Sequence, residues 1–250
     1  MEWTDDAIVL SARPHGETAA LAVLLTRGHG RHAGLVHGGQ SGRMRPVLEP
    51  GNRVAARWAA RLVEQLGTLA LELERATAAG LLEDPLRLAA LSSACALVDA
   101  ALPEREPHPA LFDATLALFD ALQTEVWAEI YVRWEIGLLE EAGFGLDFGS
   151  CAATGITDND QLAYVSPRTG RAVSLSAGEP YRDRLLALPP FLVGRSAGGA
   201  EEVVQGLALT GHFLDRHLFA LRHAEVPAAR TRFVDRYRKA HTTSGITPAP

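Results

Sequence analysis

The spacing of apolar residues in the first 75 positions is the feature that most constrains the fold. Apolar residues alternate there with polar or small ones at a period of two, as in strands that have one buried face. Turns rich in Gly and Pro separate the alternating segments. The pattern predicts five strands, at residues 7–13, 18–26, 31–37, 53–61 and 67–74. Five short strands in succession are typical of a small closed barrel of the OB type, a fold that commonly holds nucleic acid.

Beyond residue 80 the apolar residues recur at three and four positions, which indicates helices. The spacing and the Pro and Gly breaks predict helices at 85–101, 109–122 and 125–142, and helical spacing returns over 201–221. The expected fold is therefore α+β. We expect a five-stranded OB-type domain at 1–80, then a mainly helical domain at 81–240 with a hairpin-like insertion at about 144–177. The polar residues 241–250 are expected to be a disordered tail.

Charge is distributed unevenly along the chain, although its formal net charge is only −6. Residues 26–61 contain seven arginines and one carboxylate, Glu49, which gives this stretch about +6. Residues 81–147 contain thirteen carboxylates and three arginines, a net of −10. A polyanion is therefore expected to bind at the barrel rather than at the helical domain.

Six arginines of the barrel are the predicted contacts to DNA phosphates. Arg43 and Arg45 belong to the long connection between the third and fourth strands, and the others lie on or beside strands: Arg27, Arg31, Arg53 and Arg57. Two alternatives stay open at this point. The arginines could serve only to keep the surface solvated, or those on strands could pair with Glu64 or Glu72.

Aromatic residues are scarce in the same region, because Trp3 and Trp58 are the only Phe, Tyr or Trp before residue 80. Barrels that hold single strands by base stacking need several exposed rings. The sequence therefore predicts binding led by phosphate contacts, with weak sequence preference and strong salt dependence.

Several motifs of the barrel, in their order and spacing, resemble a known family. The segments IVLSARPHGETAALAVLLTRGHGRHAGLVHGG, RPVLEPGNRV and LGTLALELE are similar to the N-terminal domain of the bacterial RecO recombination mediators, and the similarity runs over most of the chain. The resemblance implies binding of single- and double-stranded DNA and annealing of complementary strands. It also implies a RecR-type partner and help in loading a RecA-type recombinase onto strands coated by single-strand binding protein.

The resemblance also raises the question of zinc, since many members of the family carry two Cys-x-x-Cys pairs in the insertion. Here Cys151 is the only cysteine of that set, with Thr154, Ser174 and Ala177 at the other expected positions. Serine, threonine and alanine cannot supply the thiolates of a structural zinc site. We therefore expect no metal and no other cofactor, and Cys95 is expected to be a buried residue of a helix.

A second binding site is expected on the helix at 125–142, where Arg133 is an isolated cation. Helical spacing places Trp127 and Tyr131, and then Trp134, along a face beside it. An arginine beside an apolar groove suits the acidic, apolar C-terminal tail of single-strand binding protein, and the segment resembles the part of the RecO family with that role. The alternative is that the rings are core and that Arg133 pairs with Glu129.

The phosphate-binding GxxxxGK[ST] motif and the metalloprotease HExxH motif are absent from the sequence. We therefore expect a protein that is not an enzyme. A hydrolase or transferase with an unrecognised site in the acidic helical domain is the alternative, and a pocket with perturbed carboxylates would favour it.

The location in the cell is expected to be the cytoplasm, without membrane contact. The first ten residues, MEWTDDAIVL, place acidic residues before a short apolar segment, unlike a secretory signal, and no stretch is long enough to span a bilayer. The two cysteines lie in unrelated contexts, as expected in a reducing compartment.

Overall fold

The computed structural model describes residues 1–62, 64–155, 157 and 161–242, which form two compact units. Unit 1 contains residues 1–123 together with 227–233. Unit 2 contains the described residues of 124–226 and those from Val234 onward. The domain limits expected from the sequence, 1–80 and 81–240, stay a prediction.

Unit 1 begins with a closed five-stranded barrel. Its strands are β1 (Glu2–His15), β2 (Ala19–Thr26), β3 (Gly30–Val36), β4 (Arg53–Ala59) and β5 (Thr68–Arg75). Their order around the barrel is β1-β2-β3-β5-β4, and every pair is antiparallel except β3 and β5, which are parallel at Leu35 and Thr68. The expected OB-type architecture, followed by a helical region, is confirmed.

The barrel interior is filled by one side of each strand, as the period of two predicted. Its buried residues include small and branched side chains and one indole: Ala7, Val9, Ala22, Leu24, Val36, Val54, Ala56, Trp58 and Leu69. β1 begins five residues earlier than predicted, because its polar first residues pair along β4 from Glu2 opposite Ala59. A register shift between Val9 and Ser11 bends β1, which thereby pairs with both β4 and β2.

Two helices complete most of unit 1, and their limits match the predicted ones closely. α1 covers Pro85–Ala101 and α2 covers Pro109–Ala121. Asp84 caps α1, since its carboxylate accepts hydrogen bonds from the backbone N–H groups of Leu86 and Arg87, both at 3.0 Å. Cys95 is buried in α1 with its Sγ 3.8 Å from the carbonyl of Val9, and burial raises the pKa of its thiol to about 12. Its expected role as a buried helix residue is confirmed.

The two ends of β3 adjoin two different segments of the chain. Its C-terminal end leads into residues 38–52, called here the turn segment, which consists of consecutive hydrogen-bonded turns. Its N-terminal end contacts residues 102–108, called here the connector, which joins α1 to α2. The backbone N–H of Arg105 donates to the carbonyl of Arg31 at 2.8 Å, and a Cβ on Gly30 would lie 2.0 Å from the carbonyl oxygen of Glu106.

Unit 2 contains α3 (Trp127–Glu141) and α5 (Ala200–Phe213), which continues through a π-helical stretch at Leu214–Phe219. Between them lies a three-stranded sheet of order β7-β6-β8, with β6 at Leu162–Val165, β7 at Ala172–Ser174 and β8 at Leu186–Ala187. A four-residue helix, α4 (Leu175–Gly178), follows β7. The antiparallel pairing of β6 with β7 agrees with the expected hairpin in the insertion.

The last helix, α6, covers Ala228–Thr242 and therefore includes residues 241 and 242 of the stretch expected to be disordered. Disorder was wrong for those two residues, since the helical backbone continues through them. The rest of the expected tail, residues 243–250, lies outside the described residues. Among the helices that the structure describes, none combines the length and apolar character required to cross a bilayer.

Candidate nucleic-acid interface

The turn segment holds Arg43 and Arg45 on a folded backbone. Leu48 is buried, and Met44 and Val47 pack against the barrel core. The side chain of Asn52 donates to the carbonyl of Pro46 at 2.7 Å, which fixes the segment from its C-terminal end. Both arginines are exposed, and neither has a carboxylate partner among the described residues. The segment therefore presents two guanidinium groups to solvent from a hydrogen-bonded support.

The hairpin between β1 and β2 adds a third arginine to this region. The side-chain amide of Gln40 donates to the carbonyls of Gly16 at 3.0 Å and Ala19 at 2.9 Å, so the turn segment lies against the hairpin. Arg13 and Arg45 border the same groove of about 280 Å³. Arg13 is also exposed and without an ion pair in the described parts of the chain. We call Arg13, Arg43 and Arg45 the arginine face.

Arg13 was not among the predicted contacts, because it lies outside the basic stretch at residues 26–61. The hairpin was nevertheless visible in the sequence, since PHGET separates two alternating segments. Gly16 adopts a left-handed φ of 58° at this turn, and the hairpin brings β1 back toward the turn segment. Glu49 borders the groove as well, without an ion pair to either arginine.

The four other predicted arginines are all engaged in ion pairs within unit 1. The pairs are Arg27 with Asp113, Arg31 with Asp99 (2.8 Å) and Glu104 (3.2 Å), Arg53 with Asp6 (3.0 Å) and Glu74 (2.9 Å), and Arg57 with Glu2 (2.6 Å). The suggested partners Glu64 and Glu72 were wrong. Hydrogen bonding to Arg57 lowers the pKa of Glu2, and the same bond raises the pKa of Arg57.

These pairs alter the charge distribution that the sequence suggested. Asp99, Glu104 and Asp113 belong to the acidic stretch after residue 80, yet they lie against the barrel arginines. Charge that is separated along the sequence is therefore partly cancelled in space. Among the six predicted phosphate contacts, Arg43 and Arg45 are those that keep an unpaired charge within the described residues.

Comparison with known proteins agrees with this architecture. Residues 1–75 match the family described as recombination protein O N terminal, and residues 82–225 match recombination protein O C terminal. The chain belongs to the RecO family. It is 54% identical over 242 residues to a DNA repair protein RecO of Phenylobacterium zucineum, covering 96% of this chain and 99% of that protein. It is 51% identical over 247 residues to a DNA repair protein RecO of Rhodospirillum rubrum, covering 96% and 97% respectively.

Membership of the RecO family confirms the resemblance and supports a role in DNA repair. The family is shown over both units, since the two matched regions together reach from residue 1 to residue 225. Family membership does not identify the residues that contact DNA, because those contacts depend on the side chains of this particular chain.

The site expected for a partner peptide is arranged differently from the expectation. Tyr131 and Trp134 are buried, at 0% and 4% exposure, so the expected aromatic surface beside Arg133 was wrong. Helical spacing could not decide this, because a core stripe and a surface stripe have the same period. Arg133 itself is exposed, and it donates to the carbonyl of Phe191 with its guanidinium 5.4 Å from that ring centroid. It contacts Phe191 instead of the suggested Glu129.

The residues of the insertion do not fit the zinc site that many RecO-family members carry. The Sγ of Cys151 accepts a hydrogen bond from the backbone N–H of Ser174 at 3.2 Å and lies 3.5 Å from its hydroxyl. Burial raises the pKa of Cys151, but hydrogen bonds from Ser174, Thr154 and Ala153 outweigh it and lower the pKa to about 6. Hydroxyls and backbone N–H groups thus surround the sulfur where further thiolates would be required. The described residues contain no cluster of three potential metal ligands.

A cavity of about 490 Å³ in unit 2 bears on the alternative of an enzyme. It is lined by Gln161, Leu175, Ser176 and Glu179. The carboxylate of Glu179 accepts hydrogen bonds from Tyr164 at 3.0 Å and from Arg182 at 3.4 Å. The described residues of this lining do not form a nucleophile with its base, so they give the hydrolase or transferase alternative no support.

Proposed function

We propose that this chain is a DNA-binding recombination mediator that acts in DNA repair without catalysing a covalent reaction. The arginine face carries the proposal, because its three exposed guanidinium groups have no carboxylate partner among the described residues. Guanidinium groups bind phosphate oxygens with two hydrogen bonds and keep their charge at every physiological pH.

Binding through phosphates explains how one surface would accept both single- and double-stranded DNA. Both forms present the same phosphodiester groups, and contacts to them position the protein without selecting a sequence. If four to six phosphates are neutralised, the logarithm of the affinity falls with the logarithm of salt with a slope of about −3 to −5. The paired arginines Arg27, Arg31, Arg53 and Arg57 would contribute more weakly, since a phosphate must compete there with a carboxylate.

The same contacts suit strand annealing. Two complementary strands repel each other through their phosphates, and neutralisation by arginine lowers that repulsion. Family membership supports the remaining part of the proposal. This part is that the chain acts with a RecR-type partner to load a RecA-type recombinase onto strands coated by single-strand binding protein.

A direct contact with single-strand binding protein is proposed at Arg133. Its exposed guanidinium offers a charged donor to the carboxylates of an acidic peptide tail. Arg133→Ala should abolish binding of a labelled tail peptide while DNA affinity stays within about twofold. Equal loss of both activities, or of neither, would contradict a separate peptide site.

We also propose that the insertion folds without zinc. Cys151 is supported by hydrogen bonds from Ser174 and its neighbours, which replace the attraction that a metal would supply. Elemental analysis of the purified protein should give well under one zinc per chain, and a chelator should leave the melting temperature unchanged. A stoichiometric zinc content would contradict this proposal.

The main experiment is a fluorescence anisotropy titration with single- and double-stranded oligonucleotides over a salt series. We expect both DNA forms to bind, with the salt slope given above. An affinity that is nearly independent of salt, or no binding at low salt, would overturn the proposed function.

A further inference from the structure

Four rings meet at the N-terminal end of β3, and we call them the aromatic mouth: Trp3, His29, His32 and Trp58. The ring of Trp3 stacks on His29 at 4.3 Å between centroids, with 10° between the planes. It also lies 5.8 Å from Trp58 at 16°. His32 meets both indoles edge-on, at 5.0 Å from Trp3 and 4.9 Å from Trp58. Two histidines thus join the two tryptophans in one aromatic cluster.

The aromatic mouth borders a cavity of about 490 Å³. That volume lies in the range of roughly 300–1,000 Å³ typical of sites for small organic groups. Besides the four rings, its lining includes Arg105 and Pro107 of the connector and Glu2 of β1. The lining is therefore mainly aromatic, with one guanidinium, and Trp3 and His29 present most of its ring surface because Trp58 and His32 are only 2% and 4% exposed.

His32 is the unusual member of this lining. It is only 4% exposed, and neither ring nitrogen has a hydrogen-bond partner of acceptable geometry among the described residues. Buried polar groups are nearly always hydrogen-bonded, so this pair of nitrogens lacks its expected partners. Burial lowers the pKa of His32 to about 4, with Arg105 and His29 adding to the effect, and Glu104 and the His29 carbonyl opposing it only weakly. A neutral imidazole offers one donor and one acceptor.

The cavity is held open by fixed backbone contacts. Gly30 has a left-handed φ of 67°, and its Cα faces the main chain of Glu106 so closely that no Cβ would fit. Arg105 donates to the carbonyl of Arg31 through its backbone and to the carbonyl of Gln65 through its guanidinium, at 3.0 Å. The connector is therefore fixed to β3, and a ligand would enter a preformed site.

Two properties of the lining define the chemistry of the ligand. The aromatic side chains favour a planar ring, and the Arg105 guanidinium favours a group that accepts hydrogen bonds. An aliphatic or phenyl side chain would offer Arg105 no acceptor. A nucleobase has a π-face and a polar edge with both donors and acceptors.

We propose that the aromatic mouth binds one unstacked nucleobase of a DNA strand. The inference rests on the proposed function, since a strand must first be held by its phosphates. It adds a distinction between DNA forms. A single strand can place a base in the cavity freely, whereas a duplex must first break a pair and its stacking.

Oligonucleotides with and without bases test this inference directly. Anisotropy titrations would compare a single strand with an abasic strand of equal length and equal phosphate number. The intact strand should bind about 5- to 100-fold more tightly to the wild type, as expected for stacking of one base. In His29→Ala and Trp3→Ala that ratio should fall to about one, whereas His29→Phe, which keeps a ring, should retain most of it.

The remaining outcomes separate the two proposals. Equal affinity of the wild type for both strands would overturn the inference and leave the proposed function intact. The same conclusion would follow if His29→Ala and Trp3→Ala kept the wild-type ratio of intact-strand to abasic-strand affinity. If neither strand binds, the proposed function fails as well.

Photo-crosslinking keeps the test valid if a variant fails to fold. A strand carrying 5-iododeoxyuridine should crosslink in the wild type to peptides that contain Trp3, His29 or Trp58. Crosslinks found exclusively in other peptides would contradict the inference.

Discussion

The two ends of β3 differ in whether their arginines are paired with carboxylates and in whether aromatic rings lie beside them. At its C-terminal end, the turn segment exposes Arg43 and Arg45 without carboxylate partners among the described residues. At its N-terminal end, Arg31 is paired with Asp99 and Glu104, and aromatic rings line a cavity. One end is therefore suited to phosphates and the other to a flat, uncharged group. A basic sequence segment need not form a single basic surface.

The difference arises from what each end contacts. The connector and helices of unit 1 bring carboxylates to the N-terminal end of β3, where they neutralise arginine. The turn segment is stabilised mostly by backbone hydrogen bonds and by Leu48, so its arginines need no partner for the fold. Charge that is not used in packing is available for a ligand.

The largest effect is expected from Gly30→Ala, which should disrupt the aromatic-mouth end alone. The substitution places a Cβ 2.0 Å from the Glu106 carbonyl oxygen at a left-handed φ of 67°. We expect a loss of about 3–5 kcal/mol in the free energy of unfolding, measured by urea titration. Gly16→Ala is the matched control, since its φ is also left-handed but the space is open. It should cost about 1 kcal/mol. Similar losses in both variants would contradict the close packing at Gly30.

The next effect concerns pH and again belongs to the aromatic mouth. The pKa of His32 is about 4 in the folded protein, against 6.5 as its ordinary value. Between these values the unfolded chain binds a proton that the folded one does not, so the stability that is present above pH 6.5 is lost as pH falls toward 4. The decrease attributable to His32 should be about 2–3 kcal/mol. His32→Leu should show a correspondingly shallower pH dependence in urea titrations, and an unchanged slope would contradict burial of a neutral imidazole.

At the other end of β3, the double variant Arg43→Ala/Arg45→Ala should weaken DNA binding. We expect a loss of about 10- to 100-fold in affinity at low salt, with the salt slope reduced by about 2, because two phosphate contacts disappear. The melting temperature should change little, since exposed charges contribute little to stability.

Arg27→Ala/Arg57→Ala is the matched control for that variant, because it removes two arginines that already have carboxylate partners. Its affinity loss should be clearly smaller. Equal losses in the two double variants would remove the distinction between paired and unpaired arginines.

The smallest effect is expected from Asn52→Ala, which alters the support of the turn segment and keeps its charges. The variant loses the hydrogen bonds from Asn52 to the carbonyls of Pro46 and Val47. The free energy of unfolding should fall by about 1 kcal/mol. DNA affinity should fall severalfold as Arg43 and Arg45 become less fixed. Unchanged affinity in a measurably destabilised variant would mean that the support is irrelevant to binding.

Periodicity was sufficient to predict most of the fold, because burial of one face imposes it on every strand and helix. It failed at the start of β1, where EWTDD pairs with β4 although four of these five residues are polar or charged. Such a strand is specified by the neighbour it pairs with. Helical periodicity likewise could not tell whether Tyr131 and Trp134 face a core or solvent.

The candidate site was less predictable, because its properties depend on contacts between distant residues. Arg27 pairs with Asp113, which lies 86 positions away, and no local sequence pattern predicts that contact. His29 and His32 lie within the basic stretch of the sequence, and in the structure their rings contact Trp3. The barrel is therefore less basic and more aromatic in the structure than its residue types alone suggest.

The composition of unit 1 also has a consequence for synthesis of the chain. Residues 227–233 belong to this unit, yet they follow about 100 residues that do not. They include Phe233, which is fully buried, and Arg230, which is nearly so. During translation, at about 5–20 residues per second, the barrel and its two helices leave the ribosome several seconds before this last piece. During that interval, unit 1 lacks the buried side chains of Phe233 and Arg230.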